Sequence, residues 1–362
     1  MKLSPSQRKL FKTLSELNGV SGQENEIARY LRASYQKIGY PIITDNLGSI
    51  FAVKKSNLKK APKVMVVGHM DEVGFIVISL ESNGMLKGHP IGGLNPQTLN
   101  AQRVCLKTKN GNYLHGAIGA VPPHLLTEAE REKPTEIKNM LFDFGFKTKK
   151  EAEDAGVFIG AMMVVEGEFR EINNQERLLG KAFDDRYGIV LGLEILKEFK
   201  NVDLPIDLYV GGSVQEEVGC RGAMTSSNLI GPDLAIVLDC SPSRDSSGNA
   251  KELGQLGGGV LIRFVDGTMI AFPELLAFQK ECAEKAHVKS QYFDSPGGTD
   301  AGQIHKNLDG VLTLTHCICA RSIHTNSIVM DVEDYIAAKK SLIYMLKHLD
   351  ESKIVALKAA RR

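Results

Sequence analysis

The sequence predicts an α/β protein that has a mixed central sheet flanked by helices and an inserted β-rich region. Apolar runs that end in acidic or histidine residues occur at residues 63–72, 206–217 and 233–239, and helical patterns lie before and between them. Open α/β sheets place their ligand sites at the carboxyl ends of such strands. Between residues 73 and 170, short β-like segments separated by turn residues replace this pattern, which indicates the insertion.

The amino-terminal region predicts two helices followed by a hairpin. Ser-Pro-Ser-Gln at residues 4–7 has the form of a capping box with proline at the first helical position, so a helix should begin there. A second helix should start within residues 21–24, because apolar residues then recur at helical spacing up to Gly39. Residues 42–44 and 50–53 flank a turn and predict a β-hairpin.

The carboxyl-terminal half predicts further helices between strands. Helical patterns cover residues 189–199, 272–287 and 332–349. The apolar strand at residues 310–319 leads to His324, and the strand at residues 206–210 leads to the adjacent acids Glu216 and Glu217.

Composition excludes several classes of partner. The 362 residues carry 44 Lys and Arg against 43 Asp and Glu, so no strong field would collect nucleic acid or an anionic membrane. The amino terminus lacks the apolar core of a signal peptide, and no apolar run is long enough to span a bilayer. Six scattered cysteines without a CxxC pair suit a reducing compartment. We therefore expect a soluble, cytoplasmic protein with no nucleic-acid or membrane partner.

Five acidic or histidine residues fall at strand ends or strand-to-helix junctions of the predicted sheet. They are His69, Asp184, Glu217, Asp239 and His324. Imidazoles and carboxylates are the ligands that zinc, cobalt and manganese accept. Because buried carboxylates need a compensating cation, and one carboxylate could bridge two ions, the set fits a pair of divalent metals.

Three of these residues, His69, Asp184 and Asp239, also have a structural explanation when each is taken alone. His69 and Asp71 can simply be polar residues at a strand end, and Asp239 can belong to a turn. Asp184 and Asp185 can cap a helix, although capping explains one aspartate better than two. The glycine-rich loop at residues 296–302 lacks the lysine of a phosphate-binding loop.

A set of ordered motifs resembles the M42 family of dinuclear metal aminopeptidases, which includes glutamyl aminopeptidases and the tetrahedral TET peptidases. The motifs are GHMDEVGF at residues 68–75, KAFDDR at 181–186, QEEVGCRGA at 215–223, GGTDAG at 297–302 and RSIH at 321–324. The resemblance spans nearly the whole chain. It implies a zinc-peptidase-like catalytic domain formed by residues 1–72 and 171–362, and an inserted, PDZ-like β-barrel dimerisation domain at residues 73–170.

The resemblance also implies a homo-oligomer built from dimers, up to a tetrahedral dodecamer, that acts on peptide substrates. Two divalent ions, zinc or cobalt before manganese, would be bound in each subunit. His69 and Asp239 would hold one ion, Glu217 and His324 the other, and Asp184 would bridge them. These ligands would place a metal-bridging water for attack on the first peptide bond.

Two further acids receive roles from the resemblance. Glu216 would be the general base that takes a proton from the attacking water, and Asp71 would orient His69 or its neighbours. The Asp184–Asp185 peptide bond would be cis. The chain departs from the family pattern after Asp239, where residues 240–248 are unusually polar.

Three rival functions remain at this stage. Some relatives carry the label endoglucanase, but a sugar platform is usually rich in aromatic residues and this chain has no Trp. A deacetylase or other amidase could use the same scaffold. A metal-binding protein without catalysis would not need the non-ligand Glu216.

Overall fold

The computed structural model describes residues 2–360, except for the side chains of residues 129 and 130. The helices are α1 (Pro5–Glu16), α2 (Asn25–Ile38), α3 (Glu128–Arg131), α4 (Lys149–Asp154), α5 (Phe183–Glu198), α6 (Arg221–Ile230), α7 (Pro273–Lys285), α8 (Ala301–Ile304), α9 (Val332–Lys347) and α10 (Glu351–Ala359).

The first strands and the inserted region supply β1 (Ile42–Thr44), β2 (Ile50–Lys54), β3 (Lys63–His69), β4 (Gly74–Leu80), β5 (Leu86–Ile91), β6 (Arg103–Lys107), β7 (Tyr113–Ile118), β8 (Phe142–Asp143) and β9 (Met162–Val165). The later strands are β10 (Arg170–Ile172), β11 (Arg177–Gly180), β12 (Asp207–Ser213), β13 (Leu234–Val237), β14 (Cys240–Pro242), β15 (Val260–Val265), β16 (Ser290–Asp294), β17 (Leu312–Thr315), β18 (Ile318–Arg321) and β19 (Ile328–Asp331).

The main sheet is mixed, as predicted, and has the strand order β1-β2-β12-β3-β13-β17. β12, β3, β13 and β17 run parallel, whereas β2 pairs antiparallel with β12 and with β1. The parallel strands read as continuous buried runs, because helices cover both faces of such a sheet. Their carboxyl ends therefore meet at one edge, where the candidate residues were expected.

A second sheet extends the carboxyl edge of the main sheet and has the order β10-β11-β19-β18-β14. β14 follows β13 closely in the sequence, and β18 follows β17. Each of these two segments therefore passes from the main sheet into the second sheet. β18 and β14 pair in parallel. This arrangement places the segment after β18, which contains His324, beside the end of the main sheet.

The inserted region forms a closed antiparallel barrel with the order β4-β5-β8-β7-β6-β9. Its strands lie between Gly74 and Val165, inside the region where the sequence pattern changes. The barrel encloses its own apolar core, in which Phe75 and Phe142 pack edge to face. The predicted combination of an α/β sheet and a β-barrel is thus confirmed.

Several local predictions hold and others need correction. The capping box of α1 is present, and β1 and β2 form the expected hairpin. The second helix begins later than predicted, at Asn25, because Ser21 donates its hydroxyl to Asp71 instead of capping a helix. The last predicted helix, at residues 332–349, corresponds to α9, which ends at Lys347, whereas α10 is a further helix that was not predicted.

Within residues 2–360, no helix combines the length and the apolar composition that crossing a bilayer requires.

Candidate metal centre

The ends of neighbouring strands bring the candidate residues together. His69 is the last residue of β3, and its register partner on β12 is Ser213, which precedes the loop that carries Glu217. Asp239 follows β13, and His324 follows β18. Asp184 lies in the first turn of α5, which packs against β3.

The predicted ligands form two overlapping clusters. Ligand atoms of His69, Asp184 and Asp239 lie within 4.8 Å of one another, and so do those of Asp184, Glu217 and His324. His69 Nε2 is 3.3 Å from Asp184 Oδ1, while His324 Nε2 is 3.4 Å from Asp184 Oδ2. His324 Nε2 is also 3.3 Å from Glu217 Oε2. Asp184 therefore presents one oxygen to each cluster.

Burial and mutual charge perturb the proton affinities of this site. Burial alone would raise the pKa of Asp184, but His324 and His69 outweigh it and hold that pKa below its usual range. Burial alone would lower the pKa of His69, yet Asp184 and Asp71 raise it well above its ordinary value. Burial, with a smaller contribution from Asp184, raises the pKa of Glu217 to about 7, against the opposing effect of His324.

The donor set fits divalent metal ions. Burial, followed by the charge of Asp184, also raises the pKa of Asp239 well above its ordinary value. A divalent cation bound among these buried carboxylates would favour their ionised forms, which burial and mutual repulsion disfavour. Two imidazoles with carboxylates, and no thiol, are the donors that zinc, cobalt and manganese accept.

Glu216 lies in the loop after β12, which ends at Ser213. Its Oε1 accepts a hydrogen bond from Cys220 Sγ at 3.3 Å. A ligand atom of its carboxylate also lies within 4.8 Å of ligand atoms of His69 and Glu217. Glu216 is therefore next to both clusters, but it belongs to neither of the two groups that contain Asp184. Burial raises the pKa of Glu216 well above its ordinary value, with contributions from Asp239 and other acids and against the effect of His69.

The Asp71 carboxylate fixes the backbone of the loop that carries the two glutamates. Oδ1 accepts from the Glu216 amide at 3.0 Å, and Oδ2 accepts from the Glu217 amide at 3.1 Å and from Ser21 Oγ at 2.6 Å. Asp71 lies just beyond the end of β3, whose last residue is His69. The His69 ring places Nδ1 3.1 Å from the Asp71 carbonyl oxygen and 3.5 Å from Asp71 Oδ1.

Asp185 is a site residue that the sequence reasoning treated only as a possible helix cap. Its Oδ2 accepts from the His69 amide at 3.1 Å, and its Oδ1 accepts from the Gly188 amide at 3.0 Å. The Asp184–Asp185 peptide bond is cis. A side chain at Gly68 would collide with Asp185 Oδ2, which explains the glycine before His69. The signal in the sequence was the second aspartate, for which capping gave no reason.

A buried network of ion pairs lies at the start of α5, and the sequence analysis did not predict it. Lys181 Nζ lies 2.7 and 2.6 Å from the two carboxylate oxygens of Glu72, and Arg186 approaches Glu72 at 3.4 Å. Arg186 also donates to the carbonyl oxygens of Leu14 and Met70. Both cations flank Asp184 in the sequence, so their side chains connect the start of α5 to α1 and to the end of β3. Hydrophobic periodicity carries no signal for such a network.

A cavity opens beside the second cluster, at the junction of the main sheet and the barrel. It is bordered by Asp184, Glu217 and His324 on one side. The remaining wall is mixed. Its apolar residues are Val73, Leu94, Leu99, Val165, Ala182 and Ile328, and its polar or charged residues are Glu72, Lys181, Thr98, Thr325 and Asn326.

Comparison with known proteins gives consistent matches over the chain. A family model described as M42 glutamyl aminopeptidase matches residues 48–340. The chain is 37% identical over 349 residues to the glutamyl aminopeptidase of Lactococcus lactis, which covers 96% of this chain and 98% of that protein.

Solved structures of aminopeptidases also match this chain over nearly its whole length. A TET aminopeptidase from a marine-sediment Thaumarchaeota archaeon superposes with a TM-score of 0.92 at 34% identity, covering 97% of this chain and 99% of that one. The TET1 peptidase of Pyrococcus horikoshii, described as able to assemble into a tetrahedron or a large octahedral shell, gives a TM-score of 0.86 at 25% identity. That match covers 95% of this chain and all of the other, 100%.

Proposed function

The chain belongs to the M42 family of aminopeptidases, and from this premise we propose that it is a dinuclear metal enzyme that trims short peptides from the amino terminus. The observation that carries the proposal is that Asp184 belongs to both clusters of histidine and carboxylate ligand atoms. A bridging carboxylate between two ligand groups is what a two-metal hydrolytic site requires.

In this proposal, His69 and Asp239 would hold one ion, Glu217 and His324 would hold the other, and Asp184 would be a ligand of both. The two groups within 4.8 Å support this division, because each provides one histidine, one carboxylate of its own and Asp184. When bound, the ions supply a lowered pKa for the attacking water and polarisation of the scissile carbonyl. Zinc or cobalt suits the histidine and carboxylate donors best, and manganese is also compatible.

Glu216 acts as the general base in the proposed reaction. It borders the clusters without being one of the residues that share Asp184, and burial raises the pKa of Glu216. A carboxylate that retains proton affinity is suited to take a proton from the attacking water and return it to the leaving amine.

Asp71 is a positioning residue in this proposal. Its two oxygens hold the amides of Glu216 and Glu217, so its removal would displace the base and a metal ligand together. Asp185 serves a similar purpose for His69, because it holds the amide of that residue.

The cavity beside His324 is proposed to receive the side chain of the substrate's first residue. It opens directly on Asp184, Glu217 and His324, and its far wall is formed by barrel residues such as Leu94 and Leu99. A pocket in this position would set the preference for the amino-terminal residue.

The glucanase alternative receives no support from the positions of the carboxylates. A glycosidase uses two carboxyl groups that face each other across the scissile bond. The carboxylates of Asp184, Glu217 and Asp239 instead converge on shared points with histidines, and Asp71 is occupied by amide donors.

The experiment that tests the proposal compares free and acetylated peptides. A metal-loaded preparation is incubated with short peptides and with copies acetylated at the amino terminus, and the products are followed by mass spectrometry. We expect stepwise loss of amino-terminal residues from the free peptides and almost none from the acetylated copies, because acetylation removes the amine that positions the first peptide bond.

Four outcomes would contradict the proposal. Internal cleavage, or equal rates on free and acetylated peptides, would indicate an endopeptidase or a general amidase. Release of acetate from the acetylated copies would indicate a deacetylase. Release of reducing sugar from cellulose at a comparable rate would support the glucanase.

A further inference from the structure

A second group of potential ligands adjoins the candidate metal centre on the side of Glu216. One ligand atom from each of Glu216, Cys220 and Asp300 lies within 4.8 Å of the other two. Cys220 and Asp300 have no role in the proposed two-metal site. Their set contains a sulfur and no histidine, so it differs in chemistry from the clusters that share Asp184.

The local backbone holds this group in place. The Cys220 amide donates to the Glu216 carbonyl oxygen at 2.8 Å, which closes a single turn and brings the two side chains together. Cys220 directly precedes α6 and has a left-handed backbone with φ of 54°. Asp300 approaches from the segment that starts α8, a helix that packs against α6.

Hydrogen bonding leaves Asp300 incompletely satisfied. Its side chain is buried, with the residue only 2% exposed, and Oδ2 accepts from the Ser213 hydroxyl. Oδ1 is buried and has no hydrogen-bond partner within the described part of the chain. The single S–H hydrogen of Cys220 is directed to Glu216 Oε1, so it cannot serve both carboxylates.

An unpaired buried carboxylate oxygen is costly, and a cation bound among the three side chains would remove that cost. A thiolate with two carboxylates is a donor set for borderline or soft ions. Hard ions such as Mg²⁺ and Mn²⁺ prefer oxygen donors and gain little from the sulfur.

We propose that Glu216, Cys220 and Asp300 form an additional, inhibitory binding site for thiophilic divalent ions such as zinc, cobalt and cadmium. On binding, the Cys220 thiol releases its proton to solvent, and the thiolate and both carboxylates become ligands. A cation bound to the Glu216 carboxylate lowers its pKa, so Glu216 takes the proton of the attacking water less readily. An ion that supports activity at low concentration would therefore inhibit it in excess.

The binding part of this inference stands on the three side chains alone, whereas the inhibitory part rests on the proposed function. The two parts have separate tests. Binding is read from cobalt spectra, which need no substrate, and inhibition is read from peptide hydrolysis.

The spectral test titrates metal-free protein with cobalt(II). The predicted hydrolytic site offers only nitrogen and oxygen donors, so near-ultraviolet charge transfer from thiolate to cobalt should appear only after that site is filled. We expect this absorption in the natural chain and in Cys282→Ala, a matched change at a buried cysteine of α7, and we expect its loss in Cys220→Ala. Asp300→Asn should keep the band but shift it to higher cobalt concentration by about tenfold or more.

The inhibition test adds zinc to the cobalt-loaded or zinc-loaded enzyme, and each variant is normalised to its own rate without excess metal. We expect Cys220→Ala to require at least about tenfold more zinc for half inhibition than the natural chain or Cys282→Ala, because it lacks one ligand. Excess Mn²⁺ should not distinguish the variants.

A thiolate band that persists in Cys220→Ala, or a natural chain that never shows one, would overturn the site. A band that depends on Cys220 together with equal zinc inhibition of all variants would overturn the inhibitory role. If no peptide were hydrolysed under any metal condition, the proposed function would fail, and the cobalt spectra would still decide the binding site.

Discussion

Glu216 is the residue on which the proposed chemistry depends most directly. We predict that Glu216→Gln lowers turnover by on the order of 10²–10⁴, because glutamine keeps the shape but cannot accept a proton. Bound metal, measured on the same preparation, should remain at the level of the natural chain. Glu168→Gln is a matched control, since that side chain is 63% exposed in a surface ion pair.

A Glu216→Gln enzyme that works within a few-fold of the natural rate would exclude Glu216 as the base. A loss of metal along with activity would instead place Glu216 among the ligands. The latter outcome is a real alternative, because Glu216 also lies within reach of the group formed with His69 and Glu217.

Substitution of the two histidines of the clusters should lower the metal content, unlike substitution of Glu216. We predict that His69→Ala and His324→Ala each reduce metal content, because each removes one of the few ligand atoms of its group. His89→Ala is the control, because that exposed barrel residue lies outside both groups. Elemental analysis after dialysis against metal-free buffer makes the comparison, and full occupancy in either cluster variant would contradict the ligand assignment.

At the residue scale, the sequence predicted which side chains meet at one edge of the sheet better than it predicted their hydrogen-bond partners. His69, Asp184 and Asp239 could be placed at one sheet edge because each ends an apolar strand or begins a helix. The partners of Asp71 and Asp185 could not be predicted, since both bind backbone amides that are remote in sequence. Backbone amides look alike in every sequence, so only the fold identifies which of them a carboxylate meets.

At the scale of elements, the polar segment after β14 has a structural explanation that the sequence did not supply. Asp245 accepts from Arg321 Nε at 2.8 Å and from Arg321 Nη2 at 2.6 Å. It also accepts from the Ser243 hydroxyl and the Leu256 amide. Asp245 therefore ties the segment to the end of β18, only a few residues before His324.

We predict that Asp245→Asn destabilises the protein by about 1–3 kcal/mol, because one partner of a charge-assisted pair is lost. Arg321 hydrogen bonding lowers the pKa of Asp245 from its ordinary value of 3.8 to about 2. A carboxyl group whose pKa falls on folding stabilises the native state above the higher value, and that stabilisation disappears as pH falls through the lower one. The difference in free energy of unfolding between the natural chain and Asp245→Asn should thus be constant near neutrality. It should shrink as pH falls from about 4 to about 2.

Urea midpoints measured over a pH series provide the test. Asp294→Asn is the matched control, because its pair with Arg244 has side chains 34% and 40% exposed and should contribute less than about 1 kcal/mol. Equal effects of the two substitutions, or an effect of Asp245→Asn that grows on acidification, would contradict the assigned role.

Secondary structure was predictable where one local signal dominates. The capping box fixed the start of α1, and the turn between β1 and β2 fixed the hairpin. The start of α2 was predicted too early because Ser21 binds Asp71, a tertiary contact that a local pattern does not contain. Barrel closure was likewise beyond local signals, since it depends on pairing between β4 and β9, which are distant in sequence.

At the scale of the whole molecule, the barrel is the region that we expect to join subunits. Its strands close on themselves, so it offers no free edge for pairing between sheets. Association would therefore have to use side chains, and several large apolar ones in and around the barrel are exposed. They are Ile78, Val121, Leu125, Leu141 and Ile159.

We predict that the protein is a homo-oligomer and that the double substitution Val121→Glu with Leu125→Glu reduces its particle mass. These side chains are 58% and 68% exposed, so charge there is tolerated by the isolated subunit but is costly inside a subunit interface. Val355→Glu, at a residue of α10 that is 56% exposed, is the matched control. Light scattering reads the mass, and circular dichroism verifies that each variant is folded. A folded double variant with the particle mass of the natural chain would show that this face of the inserted region is not the contact between subunits, and a smaller particle from Val355→Glu alone would move that contact to the carboxyl-terminal helix.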